Sequence, residues 1–515
     1  MAGPDIERAV TRASSRRNPA QRDLSDHQRS TSSPTLSDST DISTPRASTW
    51  RGDSTSITGT DELVGWFETA KRPDGAQLIG TEQEKFGMVL DAEGTPQPVR
   101  YAEHVRPTLE AMRDSFGWGE AKDRGVDGEL VALERDGASI TLEPAGQFEL
   151  SGAPLRNVHE TCAEFSQHHR ELHTVAEPMG VAWVACGFHP FARRDELDVM
   201  PKGRYDVMRT YLPTRGDLAL DMMLRTCTVQ ANLDFRDEAQ CGDRLRMMLG
   251  VSALVTALFA NSPYKEGRSA GVCSLRSATW EEVDPDRCGL LPFMFEGDFS
   301  WSRYVDYALD VPMFFVKRGG RYHAHHASFR RFINEGFTDP EGTLHRATQL
   351  DWELHLSTLF PEVRIKPFIE IRGADSVGSK TVCALPALCK GLMYDDDAGQ
   401  AAWELVDDLS FEQRLDQWKR ARTHGMADPD ILHKCRRLLS FARAGLERQD
   451  VRDDKGRSEA HFLDNLDAQV ARGTTPAEEA IAALGPEPGR GAQGRRAMVH
   501  HFLFAGADFG ESSQR

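Results

Sequence analysis

An α+β chain with a helical C-terminal region is the fold class this sequence predicts, and three observations carry it. Between residues 59 and 395, segments with apolar residues at alternate positions mix with segments at helical spacing. These are the two periods that separate strand from helix. Beyond 395 only the helical period continues, and the first 58 residues show neither.

Residues 1–58 are rich in Ser, Thr, Pro, Arg and Asp and nearly free of large apolar side chains. They bury too little surface to offset their ordering entropy and read as a disordered tail, dispensable for chemistry. An amphipathic helix starts at Asp61-Glu62-Leu63-Val64-Gly65-Trp66-Phe67. Strands are predicted at 78–90, 138–150, 181–189, 226–235, 311–317 and 363–372, and helices at 102–116, 154–179, 237–261 and 327–336. Together they make a catalytic core over 59–395. Residues 396–485 read as a helical part of the same domain, with helices at 397–408, 410–421, 428–448, 458–472 and 476–484. Thr475–Pro476 suits a helix start, Thr at the N-cap and Pro at the first helical position. Residues 449–458 and 485–496 read as loops, and 486–515 as a C-terminal loop and tail.

Lys and Arg number 62 against 79 Asp and Glu, a formal charge of −17. Such a chain repels polyphosphate backbones, which argues against nucleic acid as the main partner. No apolar run approaches the roughly 18 residues that span a bilayer. No compact apolar core with a small-residue cleavage site stands near the N-terminus, so no secretory signal is expected. Nine cysteines lie scattered with no CxxC pair, which argues against a secreted disulfide scaffold and for a cytoplasmic chain.

Residues two apart on a strand share a face. Glu82 and Glu84 share one, as do Gln147 and Glu149, Thr228, Gln230 and Asn232, and Glu370 and Arg372. Taken singly, each is the wet face of a half-buried strand. Taken together they differ from that: Lys, the usual filler of wet faces, is missing from all four. If they line one concavity, its carboxylates repel and call for a hard cation, Mg²⁺ or Mn²⁺, whose open positions take phosphates. Arg372 would then steady a transferring phosphoryl group. Arg204, after Pro-Lys-Gly, and Arg276, between serines, are of the type that clamps a carboxylate, although either alone reads as a surface Arg.

Three patterns are set aside. GADSVGSKT, from Gly373, has Ser379 where a Walker A loop needs Lys. Alternation splits His323, His325 and His326 between faces. Asp395 to Asp397 read as helix N-terminal charge.

The strings GTEQEKFG (80–87), LEPAGQFELSGAPL (142–155), HETCAEF (159–165), VMPKGRY (199–205), LDMMLRTCTVQANLDF (220–235), ALFANSP (257–263), YVDYALDVPM (304–313), FPEVRIKPFIEIRGAD (360–375) and TPAE (475–478) resemble the plant and proteobacterial type of glutamate–cysteine ligase. They occur in the family's order across nearly all of 61–480. The resemblance implies a glutamine-synthetase-like fold, a curved, mostly antiparallel sheet funnel with outer helices. It implies ATP- and Mg²⁺-dependent joining of the glutamate γ-carboxylate to the cysteine amine through a γ-glutamyl phosphate, the first step of glutathione synthesis. Carried over, Glu82, Glu84, Glu149 and Glu370 would hold metal. Gln230, with Thr228 and Asn232, would face the nucleotide, Arg372 the phosphoryl group, and Arg204 and Arg276 substrate glutamate.

Cys162 and Cys383 match a pair that forms a regulatory disulfide in plants; two buried thiols serving as apolar filler is the alternative. Departures are Gln83 for His, Ala145 for Gly, and Phe314 for a Tyr expected near the substrate pocket. The expected partners are the small molecules glutamate, cysteine and ATP, the expected state a monomer or homodimer. The rival readings are a γ-glutamyl ligase using another amine or feeding another thiol pathway such as ergothioneine, a metal-dependent hydrolase, and a non-catalytic binding protein.

Overall fold

The computed structural model describes residues 55–509. At its centre is an eleven-stranded sheet. In chain order its strands are β1 (Ile79–Leu90), β2 (Pro96–Pro98), β3 (Gly119–Glu120), β4 (Ala132–Arg135), β5 (Ala138–Leu142), β6 (Phe148–Ser151), β7 (Ala182–Val184), β8 (Thr228–Leu233), β9 (Val363–Ile365), β10 (Ile369–Asp375) and β11 (Leu503–Gly506). The main path runs β9-β10-β8-β1-β6-β5-β4-β3. The far half of β1 goes on to pair with β2 and β7, and β11 joins β7. Every pairing in this sheet is antiparallel.

Seven helices brace this sheet or carry residues of its polar face: α1 (Val158–Ala176), α2 (Gly203–Tyr211), α3 (Ala219–Arg225), α4 (Leu275–Glu281), α5 (Ala384–Met393), α6 (Pro429–Gln449) and α7 (Ala492–Phe502). The apolar face of β8 and β10, with Val229, Ala231, Leu233, Ile369 and Ile371, is fully buried. On β8 lies α5, a helix buried along its whole length, and α6 packs on α5. Two glycines allow that last approach. A Cβ on Gly391 would sit 2.2 Å from the Ala442 carbonyl oxygen, and one on Gly445 2.0 Å from that of Gly391. Those separations forbid any side chain, so the backbones touch directly.

Turns divide what the sequence pattern joins. The strand expected over 138–150 is a hairpin, β5 and β6, folded at Glu143–Gln147 with Gly146 at φ 78°. The Gly146 N–H donates to the Glu143 carbonyl at 2.9 Å and that of Glu143 to Gln147 at 3.0 Å. The strand expected over 363–372 is likewise a hairpin, β9 and β10. The helix expected over 237–261 breaks at Val251 into Glu238–Gly250 and Ser252–Leu258. The five C-terminal helical regions are found close to their expected bounds, the one over 458–472 opening with a 3-10 turn at Glu459–Leu463. The chain end differs: in place of the loop and tail expected over 486–515, α7 and β11 form. Met498, Val499, Phe502 and Phe504 go into the core, and β11 adds a strand to the sheet, because these apolar residues complete a face that the Gly- and Pro-rich run before them conceals in the sequence.

Residues 1–54 of the expected tail lie outside the described residues. Ile57 belongs to the core at 7% exposure, and its N–H donates to the Ala347 carbonyl at 2.9 Å. A chain starting at Ser56 is therefore expected to melt as the full chain does. One starting at Asp61 loses Ile57, about 1.5–3 kcal/mol of apolar burial, and one ending at Gly491 loses several such side chains at once. Thermal melts of the three order them in that sequence; equal melting temperatures for the first and third would contradict the placement of β11.

Candidate active site

Register brings the predicted faces together. Glu84 on β1 stands opposite Glu149 on β6, and Glu149 opposite Thr141 on β5. One step along, Glu82 stands opposite Ser151 on one side and Gln230 of β8 on the other. Asn232 pairs with Glu370 of β10, which pairs with Arg364 of β9. A cavity of about 930 Å³ lies on this polar face. Glu82, Glu84, Glu149, Thr228, Gln230, Arg372, Arg204 and Arg276 all line it, as do Glu143, Lys202, Trp280, Phe360, Arg364 and Lys366.

The carboxylates are electrostatically frustrated. Burial, reinforced by Glu370 and Glu149, pushes Glu82 up to about 7. Burial and the nearby Glu143 and Glu149 hold Glu84 well above the ordinary range, and burial with Glu143 raises Glu149. Each is steadied by a donor. Asn232 Nδ2 reaches Glu82 at 2.7 Å and Gln230 Nε2 at 3.1 Å. The Thr228 N–H reaches Glu84 at 3.0 Å, and the hydroxyls of Thr141 and Ser151 serve Glu149. Among the described residues no three His, Cys, Asp or Glu side chains stand close enough as they are to share one ion. The donor set is nonetheless all oxygen, and its raised proton affinities are those of carboxylates that want a cation between them.

Glu370 is the fourth carboxylate expected to hold metal. It is fully buried beneath the wall, at 0% exposure, and ion-paired to Arg364, Lys366 and Arg372. Burial pushes its carboxyl up, but the three cations outweigh that and hold it well below the usual range. Both its oxygens are engaged by these cations, and it is not among the residues that line the cavity. Arg372 gives Nη1 to Gln230 and to Glu370, both at 2.8 Å. A register shift between Ile371 and Ala374 carries it out of the ladder. Thr228 and Asn232, expected at the nucleotide, each make hydrogen bonds within the sheet. The Thr228 hydroxyl braces that irregularity by donating to the Ala374 carbonyl at 2.7 Å, and Asn232 holds Glu82 from outside the lining.

Arg276 is 3% exposed, donates to the Arg372 carbonyl at 2.8 Å and lies 5.8 Å from the Trp280 ring centre. Arg372 lies 5.7 Å from the same ring and 5.5 Å from that of Phe360. Aromatic faces thus separate and orient the guanidiniums. Arg204, near the start of α2, lies 5.8 Å from the Phe315 ring. Phe314, expected near the substrate, is turned away: it is 1% exposed, with Arg287 3.9 Å over its ring.

Glu143 is not among the expected site residues, although alternation over 138–150 already places it on the face of Gln147 and Glu149; Pro144 and Gly146 signal the turn beside it. Lys366, at the β9–β10 turn, likewise falls on the face of Glu370 and Arg372 by alternation but is not among the expected site residues. Of the patterns set aside, His323 and His325 pack on Phe337, His326 stacks on Tyr211, and Asp395 caps a helix. Cys162 on α1 and Cys383 at the start of α5 are both free and lie within hydrogen-bonding reach of one another. That contact lowers the Cys162 thiol and raises the Cys383 thiol.

A Glu370→Gln change strands three buried cations and should cost about 3–5 kcal/mol of stability. Glu82→Gln or Glu84→Gln removes repulsion and should not destabilise the metal-free protein. Glu82 also makes stability depend on pH. With its folded pKa raised from 4.5 to about 7, Glu82 binds its proton more tightly in the folded state, so metal-free stability falls as pH rises between those values. Melts across pH 4.5–7.5, with and without Mg²⁺, check this; Glu82→Gln should flatten the slope.

Known proteins resemble the chain in sequence and in fold. The sequence profile of the glutamate–cysteine ligase family 2 matches residues 78–500. A chloroplastic glutamate–cysteine ligase of Arabidopsis thaliana is 41% identical over 436 residues, 84% of this chain and 80% of that one. Chloroplastic ligase B of Oryza sativa subsp. japonica is 40% identical over 426 residues, 82% of this chain and 83% of that one. A Francisella tularensis glutamate–cysteine ligase, solved in complex with AMP, superposes with a TM-score of 0.50 at 11% identity, covering 84% of this chain and 88% of that one, a likeness of fold.

Proposed function

The chain belongs to the glutamate–cysteine ligase family 2, and from that premise we propose that it joins the γ-carboxylate of L-glutamate to the amine of L-cysteine with ATP, feeding glutathione synthesis. The single observation that carries the reading onto the site is the meeting, in one cavity, of frustrated carboxylates on one side and the Arg276–Arg372 pair on the other.

The chemistry needs both. Two like charges near 4 Å cost about 4 kcal/mol at an effective dielectric of about 20, and the glutamate carboxylate must come that close to the ATP γ-phosphate. Arg372, its Nη1 fixed by Gln230 and Glu370, offsets that charge at the phosphoryl oxygens. A γ-carboxylate oxygen attacks the γ-phosphorus, the bond to ADP breaks, and an acyl phosphate forms. Arg204 and Arg276 hold the amino-acid end of glutamate. The neutral cysteine amine then attacks the acyl carbon, phosphate leaves, and the amine proton passes to solvent or phosphate. Glu82, Glu84 and Glu149, with Glu143 beside them, would hold Mg²⁺ or Mn²⁺, which would neutralise them and polarise phosphate oxygens.

We place this reaction in the cytoplasm; nine unpaired cysteines favour a reducing compartment, although the plant relatives are named chloroplastic. Cys162 and Cys383 are read as a redox-sensitive pair.

Purified protein with both amino acids, ATP and Mg²⁺ is expected to release ADP and not AMP, and to stop when EDTA is added. Product without ATP would sink the assignment. Arg372→Lys should lower kcat by about 100-fold or more, because a compact ammonium loses the guanidinium's fork. For the cysteines, oxidised protein should be more active than reduced protein, and Cys162→Ser should erase the difference; identical oxidised and reduced rates in the parent would leave two apolar-filler thiols.

A further inference from the structure

β10 ends on Asp375, a carboxylate only 1% exposed that takes no part in the cavity lining. Three donors converge on it. The Asn261 N–H reaches Oδ2 at 2.8 Å, the Ser262 hydroxyl reaches Oδ2 at 2.6 Å, and the Ser274 hydroxyl reaches Oδ1 at 2.8 Å. The two hydroxyls pass the contact on to α4. Ser262 Oγ accepts from the Arg276 N–H at 3.2 Å, and Ser274 Oγ, at the N-cap of α4, accepts from the Ser277 N–H at 3.1 Å. Both serines are buried, so a lost partner is not replaced by solvent. Room for the carboxylate depends on Gly187, where a Cβ would sit 2.3 Å from the Asp375 Cγ.

Arg276 is thereby held to β10 at both ends. Its guanidinium donates to the Arg372 carbonyl, and its backbone N–H reaches Asp375 through Ser262. Both anchors lie on one strand, and that strand also carries the Arg372 guanidinium. The spacing between the two guanidiniums is therefore set by β10 and not by how α4 packs. Resting on the ligase reading, we infer that Asp375 is a positioning residue: through Ser262 and Ser274 it fixes Arg276, and with it the bound glutamate, relative to Arg372. A displaced Arg276 loses its hold on glutamate and leaves the nucleotide where it was, so the loss falls on the KM for glutamate and not on that for ATP.

The test measures kcat, and the KM for glutamate and for ATP separately, in Asp375→Asn, Ser262→Ala and Ser274→Ala. Each should raise the KM for glutamate by about tenfold, while the KM for ATP moves less than about twofold. Thr279→Val is the control. It removes a buried hydroxyl from the same helix, one that donates to the Leu275 carbonyl at 2.8 Å and not to Asp375, and it should leave the KM for glutamate unchanged. An unchanged glutamate KM in both serine variants, an equal rise in the KM for ATP, or a rise in Thr279→Val as large as in Ser274→Ala would overturn the inference. If Asp375→Asn does not fold, the serine variants, which each remove one hydroxyl, still decide. Absence of ADP release with glutamate and cysteine in the parent would count against the ligase assignment instead, so the two failures are told apart.

Discussion

Placing carboxylates opposite one another on neighbouring strands costs free energy, and the site is organised around that cost. The antiparallel register of β1 sets Glu84 against Glu149 and brings Glu82 beside Gln230. Nothing in the local backbone favours this; the register is held by the apolar other faces of the neighbouring strands, Phe148 and Leu150 on β6 and Val229, Ala231 and Leu233 on β8, which a one-residue slip would expose. The free energy of the core thus holds apart-seeking charges together. Burial and, after it, the remaining repulsion raise the proton affinity of these carboxylates, which a bound cation would relieve.

The opposing charges are arranged with equal constraint. Glu370 organises Arg364, Lys366 and Arg372, and it remains ionised because three cations outweigh its burial. Removing one member of such a cluster costs more than the cluster contributes, because the others are left buried and unpaired. Trp280 and Phe360 then space the guanidiniums. The result is a cavity with a cation-seeking wall and an anion-seeking wall, a division suited to holding a carboxylate and a triphosphate at reacting distance.

Support for the sheet comes from far along the chain. The glycine contact between α5 and α6 seats the C-terminal α6 against α5, which itself lies on β8, and β11 joins the sheet beside β7. Cys162 and Cys383 sit where α1 meets the start of α5, away from the cavity lining. A bond between them would therefore act on how helices pack and not on the chemistry directly.

Local pattern is enough to read the mixed fold class, the helical C-terminal region, the polar faces of β1, β8 and β10, and the residue types a phosphate- and metal-handling site needs. Those properties live in side-chain alternation and in short motifs, which a linear chain displays openly. The turn at Pro144–Gly146, the hairpin at Lys366 and the final strand stay concealed because adjacent strands with continuous alternation look like one strand, and an edge strand is defined by its neighbour. Glu370 shows the limit best. Its position on a polar face is legible, but whether that face meets a cavity or three cations depends on Arg364 and Lys366 arriving from β9 and its turn. Charge partners separated by a turn or by a hundred residues meet only when the sheet closes, so the sequence names the charges and the tertiary structure decides which of them neutralise one another.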